Sequence, residues 1–200
     1  MSKQTLINNL SKLKTRAKLQ KLDKQAATLI AFCDVDKQQS ILFMTRPEKM
    51  SYGGNVCFPG GKMDKGIDKD LIQTALREAH EEVGIKPSDV EIWGNIPGIP
   101  DKFGKICVTG VVGEIKNKFD IDKLVLSKNE VDQVFTVPVE HFLDEKNLSI
   151  REYKRGGIDK KVKLPSYQIS QVDPDIWGLT AIQLNIVLNQ MYGAKSYLEL

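Results

Sequence analysis

A short acidic stretch, residues 77–85, constrains the fold of this chain more than any other feature. It reads Arg-Glu-Ala-His-Glu-Glu-Val-Gly-Ile, and its three glutamates are Glu78, Glu81 and Glu82. Apolar residues recur at helical spacing along residues 72–83, which predicts an amphipathic helix with the glutamates beside its buried face. Gly84 follows directly and is predicted to end the helix as its C′ residue.

Such a density of carboxylates is costly unless something neutralises it. Like charges three or four residues apart on a helix repel each other by a few tenths of a kcal/mol per pair. A bound divalent cation reverses that repulsion, and hard oxygen ligands suit Mg²⁺ or Mn²⁺. The alternative interpretation is a solvated acidic face, which is the usual meaning of a run of charges.

The residues around the predicted helix resemble the signature of the Nudix hydrolases, Gly-x5-Glu-x7-Arg-Glu-U-x-Glu-Glu-x-Gly-U, where U is aliphatic. The second half matches from Arg77 to Ile85 when Ala79 is accepted as U. The first half departs, because two extra residues separate Gly61 from Arg77. The isolated glutamate of the pattern is replaced by Lys69, which has an aspartate on either side, Asp68 and Asp70. The insertion is expected in the loop around residues 63–68.

Residues 42–62 resemble the additional signature of the coenzyme A diphosphatase branch of that family. The matching positions are Arg46, Gly54, Phe58, Pro59, Gly60 and Gly61. Pro47 replaces the usual serine, and the second arginine of that signature has no counterpart near Ser51. Segments 129–138 and 176–181 also look like that branch, so the resemblance covers most of the chain.

The resemblance implies an α+β Nudix fold, with a mixed β-sheet between helices in an α/β/α sandwich. Residues 1–25 are expected to form a basic amphipathic helix, followed by a single Nudix domain at 26–200 with its motif at about 60–85. The pattern of apolar and polar residues predicts strands at 27–32, 40–45, 90–96, 106–115 and 133–138. It also predicts a hairpin formed by 149–153 and 161–169, and a terminal helix at 179–191.

The same resemblance implies a site. Its metal ligands would be Glu78, Glu81, Glu82 and the main-chain carbonyl of Gly60 or Gly61, holding Mg²⁺ or Mn²⁺. Arg77 would orient Glu78 by a charge-assisted pair. Glu130 is a candidate for a further metal ligand or for the general base. The alternative interpretation, a surface carboxylate without a catalytic role, has equal weight. Substrate contacts are expected from Arg46, Lys62 and Phe58, with Arg46 favouring a 3′-phosphate.

The implied reaction is hydrolysis of the diphosphate bond of coenzyme A or an acyl-CoA, giving 3′,5′-ADP and 4′-phosphopantetheine or its acyl form. Two alternatives stay open. One is a Nudix hydrolase of another nucleoside diphosphate derivative, such as ADP-ribose or a dinucleotide. The other is a catalytically silent Nudix domain that binds a nucleotide, which the intact glutamates disfavour.

Composition limits the partners and the compartment. Residues 1–25 hold seven of the 29 basic residues and one of the 26 acidic ones, so the remainder carries a net charge of about −3 and does not predict nucleic-acid binding. No apolar run is long enough to span a membrane. Three scattered cysteines indicate an intracellular protein, cytoplasmic or mitochondrial. The ending Leu-Glu-Leu is not a peroxisomal signal.

The basic N-terminal segment has two interpretations. It is either a mitochondrial transit peptide or a helix that docks on the domain through Leu6, Leu10 and Leu13, and the second is favoured. The sequence leaves the oligomeric state open and predicts a small molecule as the partner.

Overall fold

The computed structural model describes residues 3–13, 15, 22–50, 53–116, 119–154, 161–170 and 172–194. The α-helices in these ranges are α1 (Lys3–Lys12), α2 (Leu71–Val83), α3 (Val139–Leu143) and α4 (Gly178–Tyr192). The strands are β1 (Lys24–Val35), β2 (Gln38–Thr45), β3 (Val56–Cys57), β4 (Gly60–Lys62), β5 (Val90–Asn95), β6 (Ile99–Pro100), β7 (Ile106–Ile115), β8 (Gln133–Pro138), β9 (Leu148–Lys154) and β10 (Lys161–Tyr167).

Eight of the described strands form one mixed sheet with the order β3-β2-β1-β7-β5 along its main path. Strands β1 and β7 pair in parallel, and β1 pairs antiparallel with β2 and β4. Strand β8 joins β2, β6 joins β7, and β9 with β10 forms a separate hairpin. The long strand β1 therefore brings β4, which carries the two glycines, beside the centre of the sheet.

Alternation along β1 divides the core into two layers, because successive side chains of a strand point to opposite faces. Ile30 and Phe32 face α4, whereas Leu29 and Ala31 face α2, and all four are fully buried. The sheet is thus covered on one face by α2 and on the other by α4. The expected mixed sheet between helices is confirmed.

The predicted strands, hairpin and terminal helix are all present, with boundaries shifted by a few residues. The largest shift is at β1, which begins at Lys24 rather than at residue 27. The residues that join the two strands of the hairpin, 155–160, lie outside the described residues. None of the helices in the described ranges combines the length and apolar character needed to cross a membrane.

The N-terminal helix α1 packs on the sheet edge and on α4. Leu6 and Leu10 are buried in the same core layer as Trp93. Leu10 lies so close to Gly94 that a Cβ on that glycine would stand 3.2 Å from the leucine Cβ. The part of the predicted 1–25 helix beyond Lys12 lies largely outside the described residues, and its last two positions, 24 and 25, belong to strand β1 instead of a helix.

Candidate active site

Helix α2 carries the acidic motif and has a defined start and end. The Asp70 carboxylate caps the first turn by accepting a hydrogen bond from the Gln73 N–H at 2.8 Å. At the other end Gly84 has φ 75°, and its N–H donates to the carbonyl of His80 at 3.0 Å. This left-handed conformation favours glycine. The predicted helix and its stop at Gly84 are confirmed.

The three glutamates of α2 occupy three different environments. The buried stripe of the helix is centred on Ala75, Ala79 and Val83. Glu82 lies next to that stripe with its side chain 4% exposed, whereas Glu78 is 18% and Glu81 54% exposed. The sequence placed all three on the face next to the buried stripe; the structure buries Glu82 between the helix and β4.

Glu82 is held by the Gly-Gly strand. Its Oε2 accepts a hydrogen bond from the Gly60 N–H at 2.7 Å, and its Oε1 lies 3.7 Å from Nη2 of Arg46. The same Arg46 nitrogen donates to the Gly60 carbonyl at 3.3 Å. Gly60 has φ 154°, and a Cβ there would stand 2.3 Å from the Ala27 carbonyl oxygen. Only glycine permits this approach of β4 to β1.

Gly61 leaves the space that Glu78 occupies. A Cβ added at Gly61 would lie 2.3 to 2.6 Å from the carboxyl atoms of Glu78. Glu78 is also paired with Arg77, whose Nη2 lies 2.9 Å from its Oε1. The Arg77–Glu78 pair predicted from the sequence is therefore present, and it fixes Glu78 over the second glycine.

Arg77 is the centre of an ion-pair network that includes an acid missed by the sequence reading. Asp68 accepts hydrogen bonds from Nε and Nη2 of Arg77, both at 2.9 Å, and its side chain is fully buried. Glu81 accepts from Nη1 at 2.9 Å. Asp68 thus lies in contact with the arginine that holds both Glu78 and Glu81, whereas Lys69, which the motif spacing selects, is exposed.

The loop with two extra residues is what delivers Asp68 to this position. The Asp64 N–H donates to Oδ2 of Asp68 at 2.9 Å, and the Asp68 N–H donates back to the Asp64 carbonyl at 2.7 Å. The Thr74 hydroxyl adds a third hydrogen bond at 3.0 Å from the first turn of α2. Buried and multiply bonded carboxylates are normally structural or functional anchors. The signal available in the sequence was the aspartate pair flanking Lys69.

Glu130 lies on an exposed turn beside the other glutamates. The Ser127 N–H donates to the Glu82 carbonyl at 2.8 Å and ties this turn to α2, and the Ser127 hydroxyl bonds Glu130 at 3.2 Å. The negative charge of Glu130 contributes to raising the pKa of both Glu78 and Glu82. The structure therefore brings Glu130 to the carboxylate cluster, and its role as ligand or base stays a prediction.

The remaining predicted contacts divide into two groups. Arg46 is at the site, as described above, and Lys62 ends β4 with an exposed side chain. Phe58 is different: it is 1% exposed and stacks on Phe43 with ring centroids 4.9 Å apart. It contributes to the core under the site and does not reach its surface, because its side chain points into the α4 layer.

Burial sets the electrostatics of the cluster. It raises the pKa of Glu82 to about 7, an effect opposed by the Gly60 N–H and by Arg46. Burial also raises the pKa of Glu78, against the influence of Arg77. Hydrogen bonds from Arg77 act in the opposite direction on Asp68 and hold its pKa at about 2. A carboxylate whose anion is destabilised by burial gains from a nearby cation.

The donor chemistry of the cluster fits a hard divalent cation, because the available groups are carboxylate and carbonyl oxygens. Among the described residues, however, no three Asp, Glu, His or Cys side chains form a group arranged to hold a metal ion. Glu81 points to Arg77, and the Gly60 carbonyl accepts a hydrogen bond from Arg46. The ligand set Glu78, Glu81, Glu82 with Gly60 or Gly61 therefore stays a prediction.

The fold and the helix-borne acidic motif define a family. Residues 23–155 match the family model described as the NUDIX domain. The chain belongs to the Nudix family and is a Nudix hydrolase.

Individual relatives extend the similarity beyond the matched domain. The chain is 32% identical over 176 residues to Nudix hydrolase 3 of Caenorhabditis elegans, covering 81% of this chain and 71% of that protein. It is 32% identical over 170 residues to the human mitochondrial coenzyme A diphosphatase NUDT8, covering 83% and 69%. It is 38% identical over 160 residues to the uncharacterized Nudix hydrolase NudL of Enterobacter sp. (strain 638), covering 79% and 78%.

Proposed function

We propose that this enzyme hydrolyses the diphosphate bond of coenzyme A or an acyl-CoA in a reaction that depends on Mg²⁺ or Mn²⁺. The observation that carries the proposal is the similarity to a protein named as a coenzyme A diphosphatase, which extends over 83% of the chain. The position of Arg46 supports it, because this residue of the branch signature lies against Gly60 and Glu82. Its charge thus adjoins the place where a diphosphate meets the carboxylates.

The reaction adds water across one phosphoanhydride bond. The water oxygen forms a new bond to one phosphorus, the bridging bond from that phosphorus to oxygen breaks, and the water's proton goes to the leaving oxygen or to solvent. Each product keeps one of the two phosphates of the diphosphate. The products are 3′,5′-ADP and 4′-phosphopantetheine or its acyl form. A bound divalent cation neutralises the diphosphate and lowers the pKa of a coordinated water.

The residues of this chain have separate tasks in that reaction. Glu78 and Glu82 would supply anionic oxygens to hold the cation. Arg77 holds Glu78 in place and is itself held by Asp68. Arg46 offers a planar guanidinium to phosphate oxygens, a geometry that suits bidentate contact. Glu130 is the proposed base or further ligand, since its turn is tied to α2 through Ser127.

The compartment is part of the same proposal. The structure leaves all three cysteines as free thiols, with Cys33 and Cys107 buried, which fits a reducing interior. We propose an intracellular protein, and the similarity to a protein named as mitochondrial makes the mitochondrion the location to test first. A fluorescent fusion of the full chain, imaged against a mitochondrial marker, decides between that organelle and the cytoplasm.

A product assay tests the activity. The purified enzyme is incubated with CoA, an acyl-CoA, 3′-dephospho-CoA, ADP-ribose and a dinucleotide, each with Mg²⁺ and with Mn²⁺. We expect the highest kcat/KM with CoA or the acyl-CoA and the release of 3′,5′-ADP. Equal or higher kcat/KM with ADP-ribose would refute the CoA assignment and leave the Nudix chemistry intact. Absence of turnover on every substrate would support a nucleotide-binding role.

A further inference from the structure

A small surface pocket lies outside the carboxylate cluster and is not used by the reaction scheme above. Its volume is about 230 Å³, and it is lined by Arg151, Tyr153, Pro174, Asp175 and Trp177. Pockets that hold a whole small molecule usually measure about 300–1,000 Å³. This pocket is therefore of a size for one part of a CoA-like substrate.

Two stacked aromatic rings form its apolar wall. Tyr153 and Trp177 have ring centroids 5.4 Å apart and planes inclined by 16°. Trp177 keeps 37% of its surface exposed, whereas the other tryptophan of the chain, Trp93, keeps 4%. Exposing a large aromatic ring on the surface is costly, and such rings commonly serve recognition.

The polar wall of the pocket carries one charge of each sign. Arg151 lies two residues before Tyr153 on β9, so both side chains leave the same face of the strand. Arg151 forms an ion pair with Asp175, and the arginine side chain remains 43% exposed. The guanidinium is thus positioned beside the aromatic rings and accessible to an anion.

A short chain of contacts connects this pocket to the catalytic carboxylates. The Trp177 Nε1–H donates to Oδ1 of Asn55 at 2.9 Å. The Asn55 carbonyl accepts a hydrogen bond from the Arg46 N–H at 3.4 Å, and the Arg46 guanidinium reaches to 3.7 Å from Glu82. Only Asn55 and Arg46 intervene along this path. The pocket therefore belongs to the same edge of the molecule as the carboxylates.

We propose that this pocket binds the adenine of the substrate, with Arg151 directed at the 3′-phosphate. A purine has a flat π-face that aromatic side chains stack against, and a guanidinium pairs with phosphate in a bidentate manner. The pantetheine arm has no flat ring for the aromatic wall and no anion of its own beyond the diphosphate. Arg46, directed at Gly60 and Glu82, is left for the diphosphate.

The 3′-phosphate part of this inference rests on the proposed CoA activity, whereas the adenine part applies equally to ADP-ribose. Trp177 itself supplies the measurement, since the buried Trp93 is shielded from a ligand at the surface. Titration of the full chain with 3′,5′-ADP is expected to quench tryptophan fluorescence, and Trp177→Phe is expected to remove most of the response. Titration with 4′-phosphopantetheine is expected to leave the signal unchanged.

Substitutions then separate the base from the phosphate. Tyr153→Ala is expected to weaken 3′,5′-ADP binding by at least about tenfold, as loss of a stacking partner does. Arg151→Ala is expected to remove the preference for 3′,5′-ADP over 5′-AMP. Asp175→Asn is expected to increase that preference, because it removes the acid that pairs with Arg151. Tyr153→Phe is the matched control, because it keeps the ring and should keep the affinity.

Two results would overturn the proposal. One is quenching of Trp177 by 4′-phosphopantetheine and not by 3′,5′-ADP, which would assign the pocket to the other arm. The other is wild-type enzyme that hydrolyses CoA with no response of Trp177 to 3′,5′-ADP, which would remove the subsite and leave the proposed function standing. Conversely, quenching by adenine nucleotides in an enzyme that prefers ADP-ribose would support the adenine subsite and reject the CoA activity.

Discussion

Asp68 holds Arg77 with both oxygens of its carboxylate, each 2.9 Å from a guanidinium nitrogen. The aspartate is buried and also accepts hydrogen bonds from Thr74 and from the backbone of Asp64. Arg77 in turn pairs with Glu78. Asp68 therefore supports the position of Glu78 through Arg77. Asp68 lies one residue before Lys69, the position at which the family spacing expects an acid.

Replacing Asp68 with Asn should disturb catalysis without touching the reacting groups. The amide has the shape of the carboxylate but cannot neutralise Arg77, so the arginine is expected to shift and to release Glu78. Loss of such a supporting partner typically costs 10- to 100-fold in activity or metal affinity. We expect a fall of about that size in kcat at saturating metal, together with a higher metal concentration for half-maximal rate.

Asp70→Asn is the matched control for this variant. It removes one negative charge two residues away, at the cap of the same helix, and asparagine caps helices as well as aspartate. Near-normal kcat is expected for it. If both variants lose activity to the same extent, the effect arises from general charge near α2 and not from the Asp68–Arg77 pair.

The same ion pair should make stability depend on pH in acid. The pKa of Asp68 is about 2 in the folded protein, and an aspartate in the unfolded chain has a pKa near 3.9. Because the folded pKa is the lower one, the contribution is fully present above pH ~4 and is lost as pH falls towards 2. Such a difference corresponds to about 2–3 kcal/mol of the free energy of unfolding.

Urea unfolding at pH 6, 4 and 2.5 measures this contribution. The wild type should lose more stability than Asp68→Asn over that interval, and the two curves should converge at the acid end. Parallel curves for the two proteins would show that Asp68 does not carry the pH dependence.

Glu78→Gln and Glu82→Gln should each lower kcat by at least about 100-fold, because metal stabilisation of charge contributes several kcal/mol. The fold should persist, since a glutamine at position 82 can still accept the hydrogen bond from the Gly60 N–H. Activity is measured at saturating Mg²⁺ and folding by circular dichroism. Glu145→Gln, in the short turn after α3, is the control and should be unaffected.

Arg46→Ala should reduce turnover of every diphosphate substrate. The guanidinium lies at Gly60 and Glu82, so it is placed for the diphosphate that all these substrates share. Loss of one charge-assisted hydrogen bond costs about 1.5–3 kcal/mol, or roughly 10- to 150-fold in kcat/KM. Lys49→Ala removes another cation from the same loop and serves as the control. If kcat/KM falls only for substrates that carry a 3′-phosphate, Arg46 contacts that phosphate, as the sequence predicted, and not the diphosphate.

Leu6→Ala should destabilise the protein by about 2–5 kcal/mol, the usual cost of truncating a buried leucine. Leu6 is fully buried between α1 and the rest of the core. Thermal melting compares it with Gln4→Ala on the exposed side of the same helix. An unchanged melting temperature, together with import of a reporter fused to residues 1–25 into mitochondria, would favour the transit-peptide interpretation.

The sequence predicted the elements of the fold well because their signals are local. Periodicity and the Gly84 stop defined α2, and strand-like runs of residues defined the strands. At the site, the predicted Arg77–Glu78 pair is present, and Arg46 and Glu130 lie beside the glutamates, whereas the roles of these residues stay predictions. Asp68 was missed because the geometry of the inserted loop determines which acid reaches Arg77. Trp177 was missed because its partners, Tyr153 and Asn55, are distant in sequence.

Phe58 was predicted to contact the substrate, and the structure places it in the core instead. Its place in the Phe-Pro-Gly-Gly segment suggested a substrate contact, yet its ring stacks on Phe43 inside the core. A motif residue can serve the site by supporting the backbone that bears it. The burial of Glu82 was unpredicted for a similar reason, since only the approach of β4 turns the face of α2 beside its buried stripe into an interface.

The close approach of Gly61 to the Glu78 carboxylate means that these two positions share a single volume. A methyl group at position 61 would require the Glu78 carboxylate, the end of a flexible side chain, to move away from its present place. A larger residue at 61 is therefore compatible with Glu78 only if the Glu78 carboxylate leaves the position where Arg77 holds it. In a lineage of such proteins a gain in size at position 61 would thus alter the site through Glu78 even where the glutamate itself is kept.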